Sequence, residues 1–341
     1  MLERRRFIQG IGSAGLSSML MVGHARAQSL AQSVVKGVYA APGLSFSAIF
    51  LADRLGLWQK NGITAELKQT QGGPLSMVAL TNHEASFAGV ASTDPVIGWG
   101  KGIKTLSIAA FTGSLAMQFT ARKDWLSRVG VSSKSPLADK LKAFKDARIG
   151  ASTIGGGPAV FTRYLARTAG IDPEHDMKIL AVGFGAARMA ALRTNQVDVT
   201  VGDAPEADQV ELEGFGELFI NCAKEVPLFR EFPYTVALTT PEFANEKPDV
   251  LRRIAHALGQ ANDLFATNFG QVVDVLKQQF PTVPSEAMER ALERDRESYP
   301  RGCRMSVAMW ENIIKVAVET KMIATALPIQ EGEVWTNKFL G

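Results

Sequence analysis

A chain of 341 residues that is 46% hydrophobic is long enough to bury a large core and to divide into two domains. Its 37 basic and 34 acidic residues leave an excess of three positive charges, which Arg4, Arg5, Arg6 and Arg26 against Glu3 account for in full. The rest of the chain is balanced and has no basic run, which excludes an electrostatic case for nucleic acid or an anionic membrane surface.

The chain opens on Glu3-Arg4-Arg5-Arg6-Phe7-Ile8-Gln9, consecutive arginines ahead of a bulky apolar pair. A mildly apolar run over 11–23 follows, and Ala25-Arg26-Ala27 supplies a small-x-small cleavage site before Gln28. These parts predict a secretory leader over 1–27, cut after about Ala27, and the arginines resemble the twin-arginine export address. A membrane anchor is the alternative, but this run is short and rich in Gly and Ser against ~30 Å of hydrocarbon. Beyond residue 27 no apolar stretch approaches the ~20 residues of a spanning helix.

After the leader, short β-type runs alternate with helical patterns. Val34-Val38 leads through Ala40-Ala41-Pro42-Gly43 into a helix over about 45–60, with Ile49, Phe50, Leu55, Leu57 and Trp58 clustered on one side. Strands follow at 63–69, 85–91 and 105–111, with helices opening at Pro74 and after Ser92-Thr93-Asp94-Pro95. The polar, Lys-rich stretch 124–144 reads as a surface connection plus a short helix. A second set then begins: a strand over 148–152, the Gly155-Gly156-Gly157-Pro158 turn, and a helix closed by Gly170. A strand over 178–182, a helix over 186–194 and a strand over 197–201 complete it, ending in Asp203-Ala204-Pro205. Beyond a β run at 234–240 the remainder is almost entirely helical. Repeated strand–turn–helix units predict parallel sheets covered on both faces. Cys222 and Cys303 are the only cysteines; far apart in a chain that needs no staple, they are expected to be unpaired and buried.

Three segments, in this order and spacing, carry a family resemblance over nearly the whole chain after the leader. They are Phe50-Leu51-Ala52-Asp53-Arg54-Leu55-Gly56-Leu57-Trp58 with Asn61-Gly62-Ile63, then Leu141-Lys142-Ala143-Phe144-Lys145-Asp146-Ala147-Arg148-Ile149-Gly150, then Ala190-Ala191-Leu192 with Gln196-Val197-Asp198. The chain resembles a periplasmic solute-binding protein of an ABC importer, in the branch of sulfonate, nitrate and thiamine-precursor binders. The resemblance implies a type II two-lobed α/β fold, each lobe a mostly parallel sheet flanked by helices. Lobe 1 would be 34–116 with 241–341 and lobe 2 would be 117–240, joined by crossover strands at Met117-Arg122 and Val236-Thr240. It implies a monomeric periplasmic receptor whose partners are a small-molecule ligand and an inner-membrane permease.

Several strand ends deliver Ser, Thr or Gly straight into a helix start, where unpaired N–H groups and a partial positive charge can hold an anion. The candidates are Ser45, Gly72, Gly73, Ser92, Thr93, Asp94, Ser152, Thr153, Gly155, Gly156, Gly157 and, at the end of the last parallel strand, Asp203. Ser, Thr and Asp also cap helices with no ligand role. Three consecutive glycines exceed what a cap requires, so 155–157 is the preferred turn. Phe46 and Phe184 sit at such turns as candidate apolar walls, with core packing as the alternative. Arg188 could reach an anion from the first turn of its helix, or be a solvated surface arginine; Trp99 fits core packing. These turns favour a small anionic solute, and the resemblance leaves a sulfonate, nitrate, carboxylate or pyrimidine-type compound open.

No catalytic residue, cofactor or metal is expected. Gly10-Ile11-Gly12-Ser13-Ala14-Gly15 fits a dinucleotide pattern but lies in the leader with no strand before it. The histidines, His24, His83, His175 and His256, have no metal-ligand spacing. Two other roles stay open: a biosynthetic enzyme for the thiamine pyrimidine, although its relatives carry clustered cysteines, and a ligand sensor for a signalling partner.

Overall fold

The computed structural model describes residues 32–341, so the expected leader over 1–27 lies outside the described residues. Ten strands form two five-stranded sheets. They are β1 (Ser33–Tyr39), β2 (Ile63–Gln69), β3 (Phe87–Ala91), β4 (Leu106–Thr112), β5 (Met117–Arg122), β6 (Arg148–Ala151), β7 (Lys178–Ala181), β8 (Val199–Asp203), β9 (Gly216–Asn221) and β10 (Thr235–Thr239). The first sheet has the order β2-β1-β3-β10-β4 and the second β7-β6-β8-β5-β9. The pattern is the same in both: second, first, third, an antiparallel intruder, fourth. β10 runs antiparallel to β3 and β4, and β5 antiparallel to β8 and β9. Each intruder is the strand that has just crossed from the other sheet, through 113–116 for β5 and through 222–234 for β10. These are the two crossover strands the sequence pointed to, the second shifted by one residue. The fold is the two-lobed α/β arrangement of periplasmic binding proteins.

Central strands buried on both faces lose the alternation of an exposed sheet, and β3 and β10 read as small or branched apolar runs for that reason. The first core lies between the first sheet and the helix Pro248–Thr267, which buries Leu251, Ile254, Ala255, Leu258, Ala261 and Phe265 at helical spacing. Truncating a fully buried side chain such as Leu258 costs about 2–5 kcal/mol. The second core centres on Phe161, whose ring lies 5.3 Å from Phe232 and 5.8 Å from Phe229 in edge contacts. It also takes in Trp310 of the last helix, Val307–Glu319, with Trp335, Val96 and Ala110. Thr336 N–H donates to Ser107 at 2.9 Å, so the C-terminal segment covers the edge of the first sheet at β4. Cys222 and Cys303 are free and buried, one in each core, as expected.

Some local expectations needed correction. The helix expected over 45–60 is a short 3-10 turn, Leu44–Phe46, then Ser47–Arg54 and Leu57–Lys60, broken at Gly56 by a left-handed φ of 65°. The polar stretch 124–144 contains two helices, Lys123–Val129 and Leu137–Lys142, and it is tied down by buried Lys140, whose Nζ donates to Glu225 at 2.6 Å. Trp99 is held by its indole N–H on the Thr105 carbonyl at 2.7 Å, away from the cleft. Among the described residues no helix is long and apolar enough to cross a membrane.

Candidate functional site

A cleft of about 740 Å³ opens beyond the carboxyl ends of β1, β2 and β3 of one sheet and β6, β7 and β8 of the other. That is the position where open α/β sheets bind ligands, because helix starts and strand ends converge there. The turns picked out from sequence do converge. Phe46, Gly72, Gly73 and Asp94 line the first-sheet side, and Ser152, Thr153, Gly155, Gly156, Gly157, Phe184, Arg188 and Asp203 the second. Phe280, Thr282 and Val283, from the loop before the helix Ser285–Asp295, complete the wall. Ser45, Ser92 and Thr93 stand behind it: all three are buried and none lines the cleft. Ser45 is instead committed to the protein, its Oγ donating to Asp203 Oδ2 at 2.6 Å.

Arg188 is not a surface arginine. It is 4% exposed and its guanidinium donates to Glu206 through Nε at 2.7 Å and Nη2 at 2.5 Å, a bidentate pair. The planar group lies flat on Gly202, where any Cβ would overlap it, so only glycine admits this arginine. Despite burial, the charges of Glu206 and Asp203 hold the guanidinium further above its usual range. Glu206 also accepts the Gly185 N–H at 3.1 Å, and Gly185 presents that donor with a φ of 52°, a conformation that favours glycine.

Asp203 is clasped by hydroxyls from two further parts of the chain. Tyr234 donates to Oδ1 at 2.7 Å and Ser45 to Oδ2 at 2.6 Å, which links the second sheet to the first across the cleft. Burial, then the Asp203 charge, pushes the Tyr234 phenol well above its ordinary range, so it remains a donor. Sequence reasoning missed Tyr234 and Glu206. The signal for Glu206 was its place directly after Asp203-Ala204-Pro205, a turn already singled out; the Ala204–Pro205 peptide is cis. Tyr234 lies on a crossover, where no local pattern marks a ligand wall.

Asp94 differs from the other two acids. It lies in the first turn of the helix Thr93–Gly100 and presses against Gly73, where a Cβ would land on its carboxylate. Burial drives its pKa up to about 7, opposed only by a hydrogen bond from the Ala91 backbone.

Several of the helix starts picked out as anion sites lie beside carboxylates of the chain itself. The starts of the helices Gly73–Thr81 and Thr93–Gly100 are occupied by Asp94, and those of Ala186–Arg193 and Glu206–Glu213 by Glu206. Asp203 lies against Gly43 ahead of Leu44–Phe46. Each start therefore already has a carboxylate of the chain at its positive end. The Gly155–Gly157 turn has no such neighbour among the described residues, and it alone keeps the property assigned to all of them. Arg188, the one cation on the described wall, is neutralised by Glu206. Among the described residues no group of His, Cys, Asp and Glu could hold a metal ion.

Comparison with known proteins agrees with this architecture. YtlA of Bacillus subtilis (strain 168), whose name offers a binding role and no ligand, is 20% identical over 287 residues, 81% of this chain and 80% of that one. The solved alkanesulfonate-binding protein SsuA of Xanthomonas axonopodis pv. citri, bound to MOPS, superposes with a TM-score of 0.66 at 17% identity, covering 86% of this chain and 95% of that one. The desulfurization enzyme DSZB has the same fold at a TM-score of 0.60 and 13% identity, over 86% of this chain and 95% of that one. At such identities the likeness extends to the fold. The NMT1-like family pattern, by contrast, matches residues 41–273, well over half of the sequence, and the chain belongs to the NMT1-like family.

Proposed function

We propose that this protein is an exported substrate-binding receptor of an ABC importer, which captures a small organic solute in the cleft and presents the closed form to an inner-membrane permease. The lobes would be 34–116 with 241–341 and 117–240, and the leader over 1–27 would be removed on export to the periplasm. One observation carries the reading: a cleft of about 740 Å³, the size of a small-molecule site, bounded by two sheets of identical strand order that only two segments connect. In such a layout a ligand touching both walls shifts the population toward the closed state by its differential affinity for it. The binding-protein neighbours support the role, and the Asp203–Ser45 bond is the kind of contact closure would use. The test is small-angle scattering of the mature protein with a solute that raises its melting temperature. Compaction is expected, with a stabilisation of about 2.7 kcal/mol at a hundredfold excess over Kd. A tight binder that leaves the scattering unchanged, or that is turned over as by the enzyme sharing this fold, overturns the reading.

A further inference from the structure

The wall of the cleft is unbalanced in charge. Its ionisable groups are Asp94, Arg188, Asp203, Glu206 and Tyr234. Arg188 and Glu206 cancel in a bidentate pair, and each Asp203 oxygen already holds a hydroxyl. Asp94 is left over. Among the described residues no side-chain donor and no cation reaches it, and the helix Gly73–Thr81 packed against it contains no titratable group. A carboxylate has about four acceptor positions, and one held half-buried at the cleft wall with few of them filled is costly. Among the described residues its carboxylate keeps only the hydrogen bond from the Ala91 backbone, and Asp94 lines the cleft.

The rest of the wall suits an organic body. Phe46, Phe184, Met189, Phe280 and Val283 line it, and Phe184 is 38% exposed for so large an apolar ring. Resting on the receptor reading above, we propose that the cargo is a small organic base, which lays an apolar body against these side chains and presents a protonated, hydrogen-donating nitrogen to Asp94. An anion in the same place would bring like charges together in a site shielded from water, with no unpaired cation on the described wall to offset them. Burial raises the Asp94 pKa to about 7, so a cation that pairs with this carboxylate is expected to bind near pH 7 with release of a proton.

The experiment compares probes that share an aromatic body and differ in charge: benzylamine and benzamidine against benzoate and benzenesulfonate, with nitrate as an inorganic control. Melting temperature and calorimetric affinity of the mature wild-type protein are measured near pH 7 in two buffers of different ionisation enthalpy. The cations are expected to stabilise and to bind with net proton release, and the anions to do neither. Asp94→Asn is expected to weaken benzamidine at least tenfold while its ligand-free form melts no lower than wild type at pH 8. Stabilisation by benzoate, benzenesulfonate or nitrate alone, proton uptake on binding, or unchanged benzamidine affinity in Asp94→Asn overturns this inference and leaves the receptor reading standing. Binding of neither class overturns the inference; the receptor reading itself falls only on unchanged scattering or turnover of a tight binder, as above. Because the proton balance is read on wild type, the test survives a poorly folded variant.

Discussion

Glu206→Gln isolates the ion pair on which the charge balance of the cleft depends. The side chain of Arg188 is 4% exposed and that of Glu206 14%, and two hydrogen bonds of 2.7 and 2.5 Å join them. Removing one partner of a buried pair costs about 3–5 kcal/mol, because the other charge remains without compensation. Asp203 is close enough to add its field at Arg188, and the amide oxygen of Gln keeps one acceptor in place, so the lower end, about 3 kcal/mol, is expected. With an unfolding entropy of roughly 2.1 cal/mol/K per residue over the described chain, this is a fall in melting temperature of about 5 °C. The double variant Arg188→Met with Glu206→Gln removes both charges and is expected to regain at least about 2 kcal/mol of that loss. Urea unfolding of the ligand-free wild type, both single variants and the double variant closes the cycle. A loss below about 1 kcal/mol for Glu206→Gln, or additive single effects, would mean that the pair is solvated. The Arg188 charge would then be free to meet an anion.

Asp94→Asn tests the other acid through pH: the folded group ionises near 7 and the unfolded one near 3.8, so its stabilising effect is complete below 3.8 and lost as pH rises through 7. At about 1.36 kcal/mol per pH unit the ligand-free variant should gain as much as about 4 kcal/mol over wild type at pH 8, less the screening by water in the cleft, and nothing below pH 4; equal stability of the two at pH 8 refutes it. Gly156 has a φ of −81° and a ψ of 165°, angles open to any residue, and a Cβ there would displace the Thr153 hydroxyl while making only ordinary contacts with the Thr153 carbonyl and Pro158 Cδ. Gly156→Val should therefore weaken binding of a cleft ligand tenfold or more, about 1.4 kcal/mol, with ligand-free melting nearly unchanged; a large drop in melting with affinity intact would make this a structural turn. Replacing Arg4, Arg5 and Arg6 with Lys should stop export through the twin-arginine route, and normal levels of periplasmic mature protein would show that the general secretory route is used.

Much of this architecture was legible because it is written in local punctuation. Gly, Pro, Ser and Thr at strand ends mark where β1, β2, β3, β6 and β7 hand over to helices, and the converging ends make a cleft in any parallel sheet. What lay beyond reach is pairing over distance. β9, Gly216–Asn221, has little alternation and becomes a strand because β5 lies beside it. Arg188 meets Glu206 eighteen positions on, and Asp203 meets Ser45 from 158 residues away and Tyr234 from 31. Local reading gives each turn the electrostatic sign of a bare helix start, which is positive. Folding adds the chain's own carboxylates: Asp94 at two starts, Glu206 at two more and Asp203 at another. Most of the turns read from the sequence converge on the cleft, while Ser45, Ser92 and Thr93 stand behind it, and which carboxylate meets which helix start is decided by contacts that no spacing rule contains.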